Sequence, residues 1–252
     1  MKPPWTSRRA ELSADGVAVV RRAAGLCLRY PDQTLLDRLP LIRAALAETG
    51  TRPQVAAVAE FAEHLAGQEL LRAEEHYVSI FDTRNRRSLH LTWWTDGDTR
   101  RRGFSLAAIK ARYRDHGLTP PGSDELPDYL PVVLEYATLE RDDGTKLLQE
   151  HRAGLELLKF ALIGAATPYA LLLRAVCGTL PGPSPRTREE AARLARRPVG
   201  SGPELVGLGT IGLPPSGLPS SSPIAITSGV SSDLVRIGPE PAGPALYDRE
   251  GS

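Results

Sequence analysis

Aromatic residues make up only 6% of this 252-residue sequence, so its core has to be built mostly from Leu, Ala and Val. Cysteine is scarcer still. Cys27 and Cys177 are the only two and lie far apart, which excludes a disulfide framework and a thiolate zinc site and suits a reducing compartment. Neither sign of charge dominates: 31 Lys and Arg stand against 30 Asp and Glu, a net charge of +1. Composition therefore gives no reason to expect bulk binding to nucleic acid or to a membrane surface. Long apolar runs are missing too. The longest uncharged one, Phe160 to Leu173, contains Pro168 and has fourteen residues, against about 20 for a membrane-spanning helix. Ser7-Arg8-Arg9-Ala10-Glu11-Leu12 imitates a twin-arginine export signal, but Glu11, Asp15, Arg21 and Arg22 break the apolar stretch such a signal requires. The expected location is the cytoplasm, without stable membrane association.

What is present divides into two parts. From Val199 to Ser252, 27 of 54 residues are Gly, Pro or Ser, and Tyr247 is the only aromatic. Such a segment buries too little apolar surface to offset its ordering entropy, so residues 199–252 are expected to be a disordered tail. Residues 1–198 read as helices. Val17, Val20, Ala24, Cys27 and Leu28 recur at helical spacing, as do Leu35, Leu39, Ile42 and Leu46. Val55, Val58, Ala62 and Leu65 form the next set, with Pro53 in its first turn and Gly67 at its end. Further helices are expected over about 69–81, 104–115, 128–139, 145–165 and 169–180. Thr187 and Glu190 make a capping box for a short basic helix to about Arg197. Asp142-Asp143-Gly144 reads as a helix–helix turn. With no alternating strand pattern and no hairpin dipeptide between β-rich runs, the fold class is all-α, a single-domain bundle of about seven to nine helices followed by the tail.

Catalytic and cofactor motifs are sparse. The five histidines form no His-x-x-x-His pair, and there is no Gly-x-Ser-x-Gly elbow or phosphate-binding loop. Gly207-Leu-Gly209-Thr-Ile-Gly212 fits a dinucleotide fingerprint literally, but Pro214-Pro215 follow where a helix should start. No metal, cofactor or catalytic residue is expected. The informative stretch is Tyr77 to Gly103, which holds Arg84, Arg86, Arg87, Arg100, Arg101 and Arg102 together with Trp93 and Trp94. Trp and Arg anchor binding surfaces because they combine contact area with directional donors. Interleaved basic and aromatic residues also permit a helical nucleic-acid-binding regulator using Arg84 to Arg102, although Asp82, Asp96 and Asp98 interrupt the cluster. An enzyme or cofactor carrier with a pocket in the bundle is the third reading. Downstream, Asp128 and Glu135 are seven apart, a spacing that puts both on one helix face, and Asp128 after Pro127 suits an N-cap.

Several of these elements resemble the signature of the nitrate reductase delta subunit (NarJ-type) assembly chaperones, among the all-helical chaperones of molybdenum enzymes. The resemblance is carried by Leu26-Cys27-Leu28-Arg29-Tyr30-Pro31-Asp32, Tyr77, Phe81-Asp82, Ser88-Leu89-His90-Leu91 and Asp96-Gly97-Asp98-Thr99-Arg100-Arg101-Arg102-Gly103. It continues through Glu125-Leu126-Pro127-Asp128-Tyr129-Leu130-Pro131 and Leu134-Glu135, with Trp93-Trp94-Thr95 standing where the family more usually has an acid and a histidine. What it implies is a non-enzymatic, cytoplasmic chaperone without a bound cofactor. Its partners would be the N-terminal segment of the catalytic alpha subunit of nitrate reductase and molybdenum cofactor delivery proteins, and nucleic acid would not be among them. The client-binding candidates are Tyr77, Arg84, His90, Trp94, Asp96, Arg100 and Arg102 in the central stretch, and Glu125, Asp128, Tyr129 and Glu135 after it.

Overall fold

The computed structural model describes residues 12–82, 87–119, 125–196 and 235–236. Eleven helices run among them: α1 Ala14–Cys27, α2 Gln33–Thr49, α3 Pro53–Ala66, α4 Leu70–Phe81, α5 Leu91–Asp96, α6 Arg100–Asp115, α7 Leu130–Leu139, α8 Arg141–Glu150, α9 Arg152–Gly164, α10 Tyr169–Gly178 and α11 Arg188–Arg196. The described part is all-α, as expected. Two short strands complete it, β1 Leu118–Thr119 and β2 Val235–Arg236, paired antiparallel. Of the tail only β2 is described. The rest of the expected disorder, the boundary at residue 198, the twin-arginine look-alike and the Gly207–Gly212 fingerprint lie outside the described residues, apart from Leu12.

Local chemistry marks the starts of four helices. The Ser13 hydroxyl accepts the Gly16 N–H at 3.0 Å, and the Asp32 carboxylate accepts that of Leu35 at 2.7 Å. Pro53 opens α3, where its missing N–H is harmless. At α11 the Thr187 hydroxyl accepts the Glu190 N–H, while the Glu190 carboxylate reaches back to the N–H of Arg186, one residue earlier than in a standard capping box.

The apolar faces share one core. Every residue of α7 from Leu130 to Ala137 is buried, Glu135 included, so this helix is enclosed on all sides. It packs between α1 and α8, while α3 packs on α2 and α10, and α9 touches α5, α10 and α11. Five of the scarce aromatics form one cluster. Tyr77 meets Tyr30, Phe81 and Tyr169 at centroid distances of 5.5, 4.8 and 5.9 Å, and Phe61 meets Tyr169 at 4.9 Å.

The helix count exceeds seven to nine for two reasons. The run expected over 145–165 is divided at His151, because α8 packs on α7 whereas α9 packs on α5 and α11. Between α4 and α6, the stretch expected as a loop contains α5, a six-residue helix with Leu91 and Thr92 buried. Tertiary contact rather than propensity holds it. A Cβ on Gly154 of α9 would come within 2.7 Å of the Trp94 Cβ, so only glycine lets α5 approach this closely. Asp142-Asp143-Gly144 is not a turn. These residues form the first turn of α8, where acids suit the helix dipole, and the chain reverses at Glu140 alone. A Cβ on Gly144 would lie 2.2 Å from the Cα of Ala137, which makes glycine necessary for the tight α7–α8 hairpin.

Candidate functional site

The two motif-rich stretches meet. Residues 89–91 run antiparallel to residues 128–130: the Leu130 N–H donates to the Leu89 carbonyl at 2.9 Å, and the Leu91 N–H to that of Asp128 at 3.0 Å. This pins His90 opposite Tyr129. The Asp128 side chain is fully buried beneath the bridge. One carboxylate oxygen accepts the Thr92 N–H at 3.0 Å and the Thr92 hydroxyl, and the other faces His90 Nδ1 at 3.0 Å. An ionised carboxylate only accepts, so Nδ1 carries the proton here. Burial would raise the Asp128 carboxyl above its ordinary value, but the hydrogen bonds from His90 and Thr92 outweigh it and hold it below. The network continues outward. Arg102 Nε donates to the Thr92 hydroxyl at 3.2 Å, and its guanidinium lies 5.9 Å from the Trp93 ring centroid.

This corrects the reading of Asp128. It is no helix cap: α7 starts at Leu130, its N-cap is Tyr129, and no side chain caps it. Asp128 and Glu135 therefore do not share a helix face, because Asp128 precedes the helix and its backbone belongs to the bridge. Glu135 itself is 5% exposed and ion-paired with Arg22, with Arg29 Nη2 at 3.9 Å.

The other candidates separate by exposure. Tyr77 is a core residue, 6% exposed, whose hydroxyl donates to the Leu28 carbonyl at 3.2 Å and lies 3.4 Å from that of Tyr129. Burial pushes the Tyr129 phenol up to about 12. Trp94 donates from Nε1 to the Ser88 carbonyl at 2.9 Å and packs on Gly154, so it joins α5 to α9. Asp96 accepts the Ser105 hydroxyl at 2.6 Å and faces Arg101 Nε at 3.3 Å, tying α5 to α6. His90 is half-buried, and Arg100 and Glu125 are exposed. Arg84 lies outside the described residues. α6 begins at Arg100, four residues before the expected start. Three arginines in a first helical turn oppose the dipole, so propensity argues against that start.

One feature had no signal in the sequence. A groove of about 480 Å³ lies between α3 and the α9–α10 turn, with Ile163, Ala170 and Leu171 as its apolar lining and Glu60, His64 and Arg174 as its polar groups. Ala166, on the same turn, is the one described non-glycine residue at positive φ (50°). Beside it, His76 Nε2 lies 2.9 Å from the Thr167 hydroxyl. Among the described residues no His, Cys, Asp and Glu cluster could hold a metal, and no helix is long and apolar enough to cross a membrane.

The Bacillus subtilis (strain 168) protein named "Probable nitrate reductase molybdenum cofactor assembly chaperone NarJ" is 30% identical over 171 residues, 68% of this chain and 92% of that protein. The chain belongs to the nitrate reductase delta subunit family. That family's profile matches residues 48–172, which include α3 to α9 and both strands of the bridge. The nitrate reductase-like protein NarX of Mycobacterium tuberculosis (strain CDC 1551 / Oshkosh) is 38% identical over 168 residues, 66% of this chain but only 25% of that longer protein. In fold, the chain is similar to a redox enzyme maturation protein from Archaeoglobus fulgidus, with a TM-score of 0.50 and 18% identity over 64% of this chain and 91% of that one. The bridge between the Ser88–Leu91 and Glu125–Pro131 stretches lies within the matched residues, whereas α11 and β2 lie beyond them.

Proposed function

We propose that this chain is a non-catalytic assembly chaperone of respiratory nitrate reductase. It binds the apo catalytic alpha subunit in the cytoplasm through that subunit's N-terminal segment, keeps it open for molybdenum cofactor insertion, and does not remain in the finished enzyme. The observation that carries this is the relationship to the Bacillus subtilis chaperone, which extends over 92% of that protein. The geometry supports it in two ways. The Asp128 bridge acts as a bolt: its carboxylate and Thr92 are both fully buried, and it ties residues 90–92 to the start of α7. The α3–α10 groove offers an apolar floor with charged groups at its edge, which suits an amphipathic segment laid into a groove. Arg100 and Glu125, exposed, and His90, half-buried, are motif residues that reach solvent and form a candidate second contact.

Reversible capture in the micromolar to nanomolar range corresponds to about −8 to −12 kcal/mol, within reach of a few buried anchors. The test is calorimetric titration of the full chain with a synthetic peptide of the alpha subunit N-terminus. Saturable one-to-one binding is expected, weakened tenfold or more by Ile163→Glu with the melting temperature unchanged. Absence of saturable binding to the wild type refutes the reading.

A further inference from the structure

We infer that the outer face of α6 is an interfacial surface that docks reversibly on anionic lipid headgroups. α6 buries only Ile109 and Tyr113. At 100° per residue, Arg100, Arg114 and Lys110 fall about 40°, 80° and 120° to one side of Phe104, while Ile109 and Tyr113 fall about 140° and 180° away from it. Phe104 is 78% exposed, more than any other large apolar side chain among the described residues. Ala107 and Ala111 fill the surface between the ring and the cations, so nothing bulky shields either. Arg100, Lys110 and Arg114 are exposed, with no side-chain hydrogen bond or ion pair among the described residues. Asp115 is the one acid of the helix.

The opposite flank of α6 is engaged within the protein. Arg101 faces Asp96 at 3.3 Å, the Ser105 hydroxyl donates to Asp96 at 2.6 Å, and Arg112 pairs with Asp143 and Glu150 at 2.9 Å each. These contacts hold α5 and α8 to one flank and leave the Phe104 face as one side of a single helix. A peptide laid into a groove needs walls, and single-stranded nucleic acid needs a series of rings for successive bases. This face is convex, and Phe104 is its only aromatic. A planar bilayer suits what is present: an apolar ring that sinks to the acyl boundary, and long cations beside it that reach the phosphates. From Arg100 to Arg114 the cations run about 21 Å along the helix axis, so α6 lies on the surface rather than across it. One ring and three cations are fewer than the paired signals that stable anchoring takes, so docking is weak and reversible. The α3–α10 groove shares no residue with this face, so lipid docking stands or falls separately from client capture.

Flotation of the full chain with vesicles tests this, using phosphatidylcholine alone and an equimolar mixture with phosphatidylglycerol. Binding to the mixture and not to phosphatidylcholine is expected at about 0.1 M salt, with release at about 1 M, where the screening length falls to about 3 Å. A basic residue near an anionic surface contributes about fivefold in binding. Arg100→Gln, Lys110→Gln and Arg114→Gln together should therefore weaken it at least tenfold, and Phe104→Ser should weaken it severalfold at unchanged net charge. Arg38→Gln, Arg72→Gln and Arg193→Gln, at exposed positions on α2, α4 and α11, remove the same charge elsewhere and should weaken it at most about threefold. The substituted side chains are all exposed, so melting temperatures should not change. No binding to the mixture, equal binding by the α6 triple variant, an equal loss in the control variant, or saturable binding to duplex DNA that the α6 triple variant loses each overturns the inference.

Discussion

Replacing Asp128 with Ala should be far more damaging than losing a helix cap. The carboxylate accepts three hydrogen bonds, two from Thr92 and one from His90, and is itself fully buried. Truncation strands the Thr92 N–H, which belongs to a fully buried residue and bonds this carboxylate. The His90 ring is half-buried and can rehydrate, and the Thr92 hydroxyl keeps its bond from Arg102. Breaking one side of a buried charged network costs about 3–5 kcal/mol, against about 1 kcal/mol for a cap. Asp128→Asn keeps one oxygen for Thr92 and presents an amide to His90, which can switch tautomer to accept it, so only the charge assistance is lost, about 1–2 kcal/mol. Urea melts of the two variants should therefore show Ala well below Asn at unchanged m-value. A low-pH arm adds the linkage. The Asp128 carboxyl sits below its ordinary 3.8 when folded, so its contribution is present above that value and lost as pH falls through the folded one. The wild type should lose more stability than Asp128→Asn between pH 5 and pH 2. An Asp128→Ala penalty near 1 kcal/mol, or equal acid sensitivity of the two proteins, would show that the bridge is not held by this carboxylate.

Other outcomes are expected on the same reasoning. Glu135→Gln should cost about 1–3 kcal/mol, less than a fully buried pair because Arg22 and Arg29 both reach solvent, and melts of Arg22→Ala alongside would show whether the pair is shared. Gly144→Ala should destabilise by more than about 3 kcal/mol or prevent folding, since the added methyl meets Ala137 backbone, whereas Gly103→Ala has open space and should stabilise α6 slightly. Burial lowers the values of His151 and His76, so the unfolded chain binds more protons near pH 6. Their contribution is intact above about pH 6.5 and is lost as pH falls, so the melting temperature should drop between pH 7 and pH 5, and less so in His151→Gln.

The helical body is legible in the sequence because its signals are local. Ser13, Asp32 and Pro53 mark their helix starts through bonds or constraints within three residues. The Pro127–Pro131 pair likewise brackets the start of α7. What escapes is decided at long range. No local rule says that the Asp128 carboxylate turns away from α7 to bond Thr92, thirty-six positions earlier. α5 has no propensity signal, since its existence depends on Gly154 in another helix. Trp94 reads as a binding residue from its type and Tyr77 from the resemblance, while in the structure their polar atoms bond inside the protein. The α3–α10 groove is invisible for the same reason, because its residues come from segments separated by about a hundred positions. The family motifs fare better: the two stretches singled out are the ones that form the bridge.

The most direct measurement is the molybdenum content of the host nitrate reductase alpha subunit, determined by mass spectrometry after purification from cells with and without this chain. An assembly chaperone predicts a subunit that accumulates largely without molybdenum when the chain is absent, is filled when the wild type is restored, and stays largely empty with Ile163→Glu at equal expression. Equal molybdenum occupancy in cells with and without the chain would contradict the proposed role.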